Sequence, residues 1–590
     1  MNDLPEAMTV FRQSIEQGYD MAAGDRRTVR RRLSVKYGPV VLGDLGRCRP
    51  ASRLSEQCRR GKWRTIPYET NAGSGTLLFA PEGAAPGPVK LPLGVRGRFR
   101  IYVGLPPSDW SESACGIRVR LTGEPSFRTL LSTSSPGSLN EVFWMEADVT
   151  GRELEVAPLR LSHPFPAAQG NPVSGIAHVR LEPSSSAPEP KKCPLELAAF
   201  IDGHSLRYCS PLRSPADLKE HIAAFRDTPF RRVYWCTLIG DVQQYKTPDN
   251  NSDARRPVYL NDGYRNVDQA LRAFQRRGLD FQQVARDAVK AAGLEFHIYH
   301  RPGLVHPEPP IDQDLQASPF VLAHPEWRCR DRDGRWIARL SYAFPRVQER
   351  VISAFKEQLR YNIDGINLAF WRGVPLMLYE KPLLQAFQRA TGRDPRRLPP
   401  NHPRWLQFRA DAVSDYIRRL CGELQAENAR LGFGRLVFSA GVLAHRKANL
   451  FYGLDIERWI RDGLVNVVIP YQESRRVPPD EMDVDYYADL KRRTGCTLCP
   501  EVMSTRSWLT PEQHYSYWAK KLYAAEVDGL CFWDGDMRQV RPLEWEMMKA
   551  MASPGAFKRE ARRLTREHRR MPLRSLGGMA MDKYPTMWTY

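Results

Sequence analysis

The chain carries one short phrase twice, and this repeat limits the folds that it can adopt. The first copy, Asp364-Gly-Ile-Asn-Leu-Ala-Phe-Trp-Arg372, follows an amphipathic helical pattern over residues 347–359. The second copy, Val527-Asp-Gly-Leu-Cys-Phe-Trp-Asp534, lies near the end of the chain. A helix, an Asp-Gly pair and a buried strand with polar groups at its C-terminal end make one unit of a parallel (β/α)8 barrel. Two such units far apart predict that the chain between them is built in the same way.

Apolar strand candidates, each followed by helical patterning, recur through the second part of the chain, and there are eight of them, as a (β/α)8 barrel requires. They cover residues 197–201, 233–238, 294–299, 365–370, 436–440, 465–470, 497–500 and 529–533. Amphipathic helices are predicted at residues 281–291, 348–360, 404–430 and 511–525. The barrel is therefore assigned to residues 195–555.

The chain before the barrel has a different texture. Residues 31–190 contain short alternating runs, such as Arg98-Phe-Arg-Ile-Tyr-Val103, separated by Gly, Pro and Ser turns, which is typical of an antiparallel β-sandwich. A Ser- and Pro-rich linker at residues 184–192 follows. The predicted fold class is multidomain: an N-terminal antiparallel β-sandwich followed by a (β/α)8 barrel. A basic leader (residues 1–30) and a basic C-terminal tail (residues 556–590) complete the predicted organisation.

The formal charge of the 590 residues is +20, which favours polyanionic partners in a non-specific way. Neither basic cluster, at residues 26–32 or 558–570, has interleaved aromatic side chains, so we predict solvated faces and no specific nucleic-acid partner. No run of 18 apolar residues exists, so no membrane span is predicted. The first 25 residues lack the pattern of a signal peptide. A cytoplasmic location is expected, with export still open if the start site is misassigned.

The 11 cysteines show no framework spacing, and several lie inside apolar strands, as reduced buried thiols do. Cys496-Thr-Leu-Cys499 has the spacing of half a zinc site, but no second pair or nearby His completes it. We expect no metal and no cofactor.

Functional residues of a (β/α)8 barrel lie at the C-terminal ends of its strands. This rule selects a rim rich in carboxylates and aromatic rings, to which we add Asn367 within the fourth strand. The rim residues are Asp202, His204, His300, Arg301, Trp371, Arg372, Glu380, Tyr471, Gln472, Glu473, Glu501, Trp508, Trp533 and Asp534. Sugars present apolar C–H faces and many hydroxyls, which such a rim suits, and cleavage of a glycosidic bond needs two carboxyl groups. We predict carbohydrate as the partner.

Glu501 is the strongest catalytic candidate because it directly follows an apolar strand. Glu473 is the next, so that the two form an acid/base pair in unassigned order, and Asp534, Asp202 and Glu380 compete for the partner role. Structural readings stand beside these: His300 as a hydrogen-bonded core residue, and the two rim tryptophans as packing under loops. Asp364 and Asp528 lie at strand starts, on the stability side of the barrel, and are assigned a turn or helix-end role.

Several motifs occur together in an order that resembles the glycosyl-hydrolase-like barrels of the family-10-like group of bacterial proteins. They are His324-Pro-Glu-Trp327, Arg330-Asp-Arg-Asp-Gly334, Leu340-Ser-Tyr-Ala-Phe-Pro345, Asp364-Gly-Ile-Asn-Leu368 and Val468-Ile-Pro-Tyr471. The resemblance covers residues 195–555. It implies a TIM barrel with glycoside hydrolase activity on an oligo- or polysaccharide.

The chain departs from the pattern of this group at Ala369, where relatives usually carry Asp, and at Asn466, where Asp is frequent. In related barrel glycosidases an Asp on the fourth strand is a favoured catalytic residue. Its absence leaves two interpretations: the carboxylates of strands six to eight perform the chemistry, or the barrel binds glycans without cleaving them. A polyanion-binding scaffold that uses the basic termini is a third.

Overall fold

The structure is a computed structural model of the chain. It describes residues 38–81, 83–107, 115–132, 137–160, 173–184, 193–209, 212–243, 245–247, 262–303, 318–471, 482–503 and 510–581. The predicted basic leader lies outside the described residues. No helix among those described is both long enough and apolar enough to cross a membrane.

The N-terminal region is a β-sandwich, as predicted. Its strands alternate between core and surface: Phe99, Ile101 and Val103 are buried while Arg98 and Arg100 are partly exposed. Within the described residues its strands pair antiparallel, with two exceptions. Residues 54–55 pair parallel with residues 63–64, and residues 115–116 pair parallel with residues 173–174. The strands are β1 (Val40–Leu42), β2 (Leu54–Ser55), β3 (Trp63–Thr70), β4 (Gly73–Ala80), β5 (Val89–Pro92), β6 (Arg98–Leu105), β7 (Cys115–Leu121), β8 (Arg128–Leu131), β9 (Ser138–Asp148), β10 (Glu153–Ala157), β11 (Val173–Ile176) and β12 (His178–Pro183).

The second region is a parallel barrel in which a two-stranded hairpin is inserted after the third strand. Its eight strands pair in the order of residues 497–498, 467–471, 437–443, 365–369, 295–301, 230–239, 196–201 and 529–533. The strands from this point on are β13 (Glu196–Ile201), β14 (Phe230–Ile239), β15 (Val242–Gln243), β16 (Glu295–Arg301), β17 (Arg328–Arg330), β18 (Trp336–Leu340), β19 (Gly365–Ala369), β20 (Val437–Leu443), β21 (Val467–Tyr471), β22 (Thr497–Leu498), β23 (Gly529–Trp533), β24 (Arg569–Leu576) and β25 (Met579–Ala580). All eight predicted barrel strands are confirmed.

Backbone hydrogen bonds between the last two barrel strands close the ring. The amide of Asp528 donates to Leu498, that of Cys531 to Pro500 and that of Val502 to Cys531, at 3.0, 2.9 and 2.8 Å. This ladder continues beyond the two residues of β22 and includes a parallel bridge between Glu501 and Cys531. The C-terminal ends of all eight strands therefore meet at one rim.

Helices cover the barrel, and several begin with proline, whose missing N–H costs nothing at a helix start. The predicted helix at residues 281–291 is confirmed at both ends. The helices are α1 (Gly203–Cys209), α2 (Pro215–Ile222), α3 (Asp262–Gln275), α4 (Phe281–Ala291), α5 (Pro319–Ala323), α6 (Pro345–Gln358), α7 (Lys381–Thr391), α8 (Pro403–Arg430), α9 (Arg446–Phe451), α10 (Ile456–Arg461), α11 (Val484–Thr494), α12 (Pro511–Ala524), α13 (Pro542–Ala550) and α14 (Pro554–Glu567).

The two aspartates of the repeated phrase make the same contacts at the N-terminal ends of their strands. Asp364 accepts the amide of Phe296 at 2.6 Å and faces the Lys290 ammonium at 2.5 Å. Asp528 accepts the amide of Leu498 at 2.9 Å and faces Lys491 at 2.8 Å. Each carboxylate thus connects the start of its own strand to the neighbouring strand. It also contacts a lysine near the end of the helix that precedes that neighbouring strand. Their predicted structural role is confirmed.

The prediction of a basic tail from residue 556 is wrong for the part that the structure describes. Residues 554–567 form α14, and β24 pairs with β9 through residues 569–572 and with β3 through residues 573–576. The C-terminal strand therefore joins the two sheets of the N-terminal sandwich. The sequence did not predict this strand because most of its side chains are exposed or partly exposed. Leu573 is its one buried side chain, so no alternating apolar pattern is present.

Sandwich and barrel belong to one compact unit from Val40 onward. Arg118 of β7 and Glu220 of α2 form a two-point ion pair at 2.5 Å, and the Arg128 guanidinium donates to the Gln539 carbonyl at 3.1 Å. Arg100 of β6 pairs with Glu567 at 2.5 Å. The sandwich is thus attached to the barrel by charged contacts as well as by the chain that returns through β24.

Removal of residues 569–590 should destabilise the sandwich by several kcal/mol, because each lost ladder hydrogen bond contributes about 1 kcal/mol net and two strand edges become unpaired. Thermal unfolding followed by circular dichroism, with limited proteolysis, measures this. The matched control ends at Met581 and retains both β24 and β25. Equal stability of the two truncated chains would contradict the role assigned to β24.

Candidate functional site at the C-terminal face of the barrel

Five aromatic rings fill the barrel lumen near the C-terminal ends of its strands, and none is more than 4 % exposed. Neighbouring ring centroids lie 4.8–6.0 Å apart, the range of favourable aromatic contacts. The five are Phe200, Tyr299, Trp371, Tyr471 and Trp533. We call this group the aromatic floor.

Trp371 fits into the floor because the neighbouring strand leaves room for its ring. Its ring stacks on Tyr471 at 4.8 Å with an interplanar angle of 14°. A Cβ on Gly441 would lie 1.5 Å from the Trp371 ring. Ala369, at the position where relatives carry Asp, pairs with Gly441 across the sheet. Small residues on β19 and β20 therefore admit the large ring that follows β19.

Two charged groups accompany the floor at the ends of β13 and β16. The Arg301 guanidinium donates to the Asp202 carboxylate at 3.0 Å, and their side chains are 17 % and 7 % exposed. Burial raises the pKa of the Tyr299 hydroxyl well above its ordinary value, and the nearby carboxylates of Asp202 and Asp534 raise it further. Asp202, Arg301 and Tyr299 therefore lie at neighbouring strand ends of the rim, since β13 and β16 both pair with β14.

Asp534 lies in a tight turn directly after β23. Its φ of 47° is in the left-handed region, which costs a non-glycine residue free energy and persists where packing enforces it. The amide of Gly535 donates to the Phe200 carbonyl at 3.3 Å, and this bond fastens the turn to β13. Two residues later, Asp536 lies 2.8 Å from the His221 ring. The turn thus holds Asp534 beside the floor.

Glu501 is fully buried at the end of β22. Its carboxylate accepts the amide of Trp533 at 3.2 Å and lies 3.8 Å from the guanidinium of Arg538. Arg538 in turn donates to the carbonyls of Val502 and Trp533, both at 2.8 Å. The pair joins the ends of β22 and β23 at the place where the turn of Asp534 begins.

Two predicted site residues lie away from this cluster, and a third pairs with Tyr299 of the floor in the register of β16 and β19. The His300 ring approaches the Gly240 carbonyl at 2.8 Å and packs on Phe355 of α6, so it faces the helical layer. Glu380 accepts the backbone amides of Arg330 and Leu378 and is 1 % exposed. The third, Asn367, donates to the Ser439 hydroxyl inside the lumen at 2.8 Å.

The remaining predictions concern residues for which the structure gives no side-chain description. Glu473, Gln472 and Trp508 lie outside the described residues, and the side chains of His204 and Arg372 are not described. Their assigned roles stay predictions.

Sequence reasoning missed Tyr299 and Arg538. Alternation along β16 could have found Tyr299, because Tyr299 and Arg301 must point to one face of the strand and His300 to the other. Arg538 carried no local signal, since its partners come from β22, β23 and α12. Among the described residues, no group of three or more His, Cys, Asp or Glu could hold a metal ion.

A parallel barrel with carboxylates and aromatic rings at the C-terminal ends of its strands has the construction of a glycan-active barrel. Residues 265–489 match the family described as glycosyl hydrolase-like 10. This match confirms the resemblance seen in the sequence motifs and supports a glycan-active protein. None of the curated proteins matches the chain.

Solved structures similar to this chain include the glycoside hydrolase domain of PgaB (BpsB) from Bordetella bronchiseptica, at TM-score 0.43 and 12% identity over 61% of this chain and 99% of that one. The endo-1,4-beta-mannanase from Rhizomucor miehei has TM-score 0.35 and 8% identity over 61% and 96%. The N-terminal modules of the endo-1,4-beta-D-xylanase 10B from Clostridium thermocellum have TM-score 0.28 and 10% identity over 80% and 86%.

Gly441→Ala should destabilise the protein by about 2 kcal/mol or more, because the added methyl group overlaps the Trp371 ring and the core must shift. Thermal unfolding and tryptophan fluorescence measure the change. Gly422→Ala in α8 is the control: its Cβ meets nothing within 4 Å, so helix propensity should stabilise it by about 0.5–1 kcal/mol. Unchanged stability of Gly441→Ala would contradict the packing of the floor.

His300→Gln should make stability less sensitive to acid. Burial lowers the pKa of His300 from 6.5 to about 4, so its stabilising effect is complete above pH 6.5 and is lost as the pH falls towards 4. At pH 5 this loss is on the order of 2 kcal/mol. Gln can still donate to the Gly240 carbonyl but does not titrate. Calorimetry at pH 7 and pH 5 tests this, and an equal fall in Tm for wild type and variant would refute it.

Proposed function

We propose that the barrel binds an oligo- or polysaccharide at its C-terminal face and hydrolyses a glycosidic bond there. The observation that carries this proposal is that Phe200 and Trp533 of the aromatic floor pair across the sheet, and that the carboxylates of Asp202 and Asp534 follow these two residues in sequence. Their strands, β13 and β23, are hydrogen-bonded neighbours. Both carboxylates are therefore held by the sheet itself, on the face where barrels bind their substrates.

Asp534 is the proposed reacting carboxylate among the described residues. Its turn is tied at Gly535 to the Phe200 carbonyl, so the carboxylate has little freedom to move. A reacting group gains from such fixed placement because correct orientation supplies much of a rate enhancement. In this proposal the Asp202–Arg301 pair binds sugar hydroxyls, with Trp371, Tyr471 and Trp533 beneath the ring.

Glu501, the first choice from sequence, is proposed to position the site. A carboxylate that is fully buried, bonded to the Trp533 amide and next to the Arg538 guanidinium is already engaged in holding two strand ends. Loss of its charge would remove one of the two carboxylates, with Glu544, that stabilise the buried Arg538 guanidinium, which is costly. Glu501 thus acts through the turn that carries Asp534.

The second carboxyl group that hydrolysis requires is proposed to be Glu473, which follows β21 in the sequence. In barrel glycosidases the separation of the two carboxyls sets the stereochemistry, at about 5–5.5 Å for retention and about 6.5–9.5 Å for inversion. Proton NMR of the first-formed product anomer would therefore report the separation of Asp534 and Glu473.

A second candidate function is glycan binding without cleavage. Ala369 replaces the carboxylate that relatives carry on this strand, and both Asp202 and Glu501 face guanidinium groups. A site in which cations engage these acids binds sugar hydroxyls well and has fewer groups to move protons. This function predicts that wild type releases no reducing ends and that glycan binding survives both Asp534→Asn and Glu473→Gln.

The test is release of reducing ends from neutral and acidic polysaccharides. Asp534→Asn and Glu473→Gln should each lower kcat at least about 100-fold with KM little changed, since each removes a proton-transferring or nucleophilic group. Glu427→Gln is the control, an acid near the C-terminal end of α8 that pairs with Arg430. Full activity of both rim variants would refute the assignment. Binding without release by wild type would favour the second function.

A further inference from the structure

The connection after the third barrel strand carries an aromatic side chain, Trp336, that is not part of the site described above. β17 and β18 form an antiparallel hairpin within the connection from β16 to α6, which lies on the C-terminal side of the barrel. We call residues 328–340 the Trp336 hairpin. Trp336 is 44 % exposed and is the one tryptophan among the large exposed hydrophobic residues in the described part of the chain.

The side chain of Arg330 packs against the Trp336 ring. Arg330 stands opposite Trp336 in the register of the hairpin, and its guanidinium lies 4.3 Å from the ring centroid. A guanidinium at this distance makes a cation–π contact, which fixes the orientation of the ring. The exposed remainder of the indole is a flat apolar surface of the kind on which the C–H face of a sugar can rest.

Hydrogen bonds from two carboxylates hold the hairpin in place. The carboxylate of Glu380 accepts the amide of Arg330 at 3.0 Å and thereby attaches β17 to the connection after β19. At the tip, Asp331 accepts the amides of Asp333 and Arg335 at 3.0 and 2.8 Å. The hairpin is thus a preorganised element, and preorganisation lowers the entropic cost of binding.

The hairpin is also strongly basic. Residues 328–340 contain five arginines and two aspartates, a net charge of +3. The side chains of Arg332 and Arg335 are exposed, and no ion pair involves them or Arg330 within the described ranges. The Arg332 and Arg330 guanidinium groups each donate one hydrogen bond to a backbone carbonyl, of Arg396 and Gly334, at 2.8 and 2.9 Å. Elsewhere on the surface arginines pair with acids, as Arg418 does with Asp462 and Arg493 with Glu457. Asp331 is occupied with the backbone of the turn.

We propose that the Trp336 hairpin is a subsite that binds a carboxylate-bearing sugar residue of an acidic polysaccharide. The sugar ring stacks on Trp336 and its carboxylate pairs with the exposed guanidinium groups, which can donate two parallel hydrogen bonds. The proposal rests on the proposed function, that the barrel takes a glycan, and adds the chemical class of that glycan. The net charge of +20 of the whole chain agrees with an acidic substrate.

Isothermal titration of the full chain with polygalacturonate, and with its methyl ester as the uncharged counterpart, tests the inference. Trp336→Ala should raise Kd for polygalacturonate about tenfold, and Trp336→Phe should retain most of the affinity. Arg335→Gln should raise Kd about threefold for the acid and leave binding of the ester unchanged. Leu431→Ala and Arg430→Gln, at the far end of α8, are the matched controls.

Asp534→Asn should bind polygalacturonate as wild type does, because it alters the reaction and leaves the hairpin unchanged. Binding that depends on Trp336 in a chain that releases no reducing ends would therefore uphold the subsite while refuting hydrolysis. Three results would overturn the subsite: equal Kd for Trp336→Ala and wild type, equal affinity for acid and ester, or no binding of polygalacturonate, alginate or hyaluronate. Equal binding of single-stranded DNA through Trp336 would also overturn it.

Discussion

The backbone ladder that closes the barrel between β22 and β23 is the contact on which the rest of the molecule depends. β22 has only two regular residues, yet bonds from Val502 and Cys531 extend the pairing to the rim. Without them, the amides and carbonyls of these strand ends would be buried and unpaired, which is costly. Closure also sets the site, because it brings Glu501 next to Trp533 and so places the turn of Asp534.

A second long-range contact joins the two ends of the chain. β24 enters the sandwich between β9 and β3, so the sheets of the N-terminal domain include a strand that follows the barrel in sequence. Pairing over such a sequence separation is slow to form, since loop closure must precede the contact. The sandwich and barrel therefore belong to one compact unit, although they look separate in sequence.

The rim of the barrel combines groups that stabilise it with groups that we propose to act on a glycan. Arg538 and Glu501 hold strand ends together, while Ala369 and Gly441 make room for Trp371. The small residue at position 369 thus coincides with an aromatic floor packed against Gly441. Glu380 was predicted from the sequence to bind sugar. In the structure it holds the Trp336 hairpin through the amide of Arg330, and we propose that the hairpin binds the sugar.

The sequence by itself determined the eight barrel strands, the sandwich and the face that carries the site. This was possible because apolar runs of strand length and helical periodicity are local properties, as residues 281–291 and 529–533 show. Tertiary structure alone decided that His300 faces the helices, that Glu501 meets Arg538 and that β24 closes the sandwich. The physical reason is that each of these contacts is made with a group contributed by another element, which the local pattern does not contain.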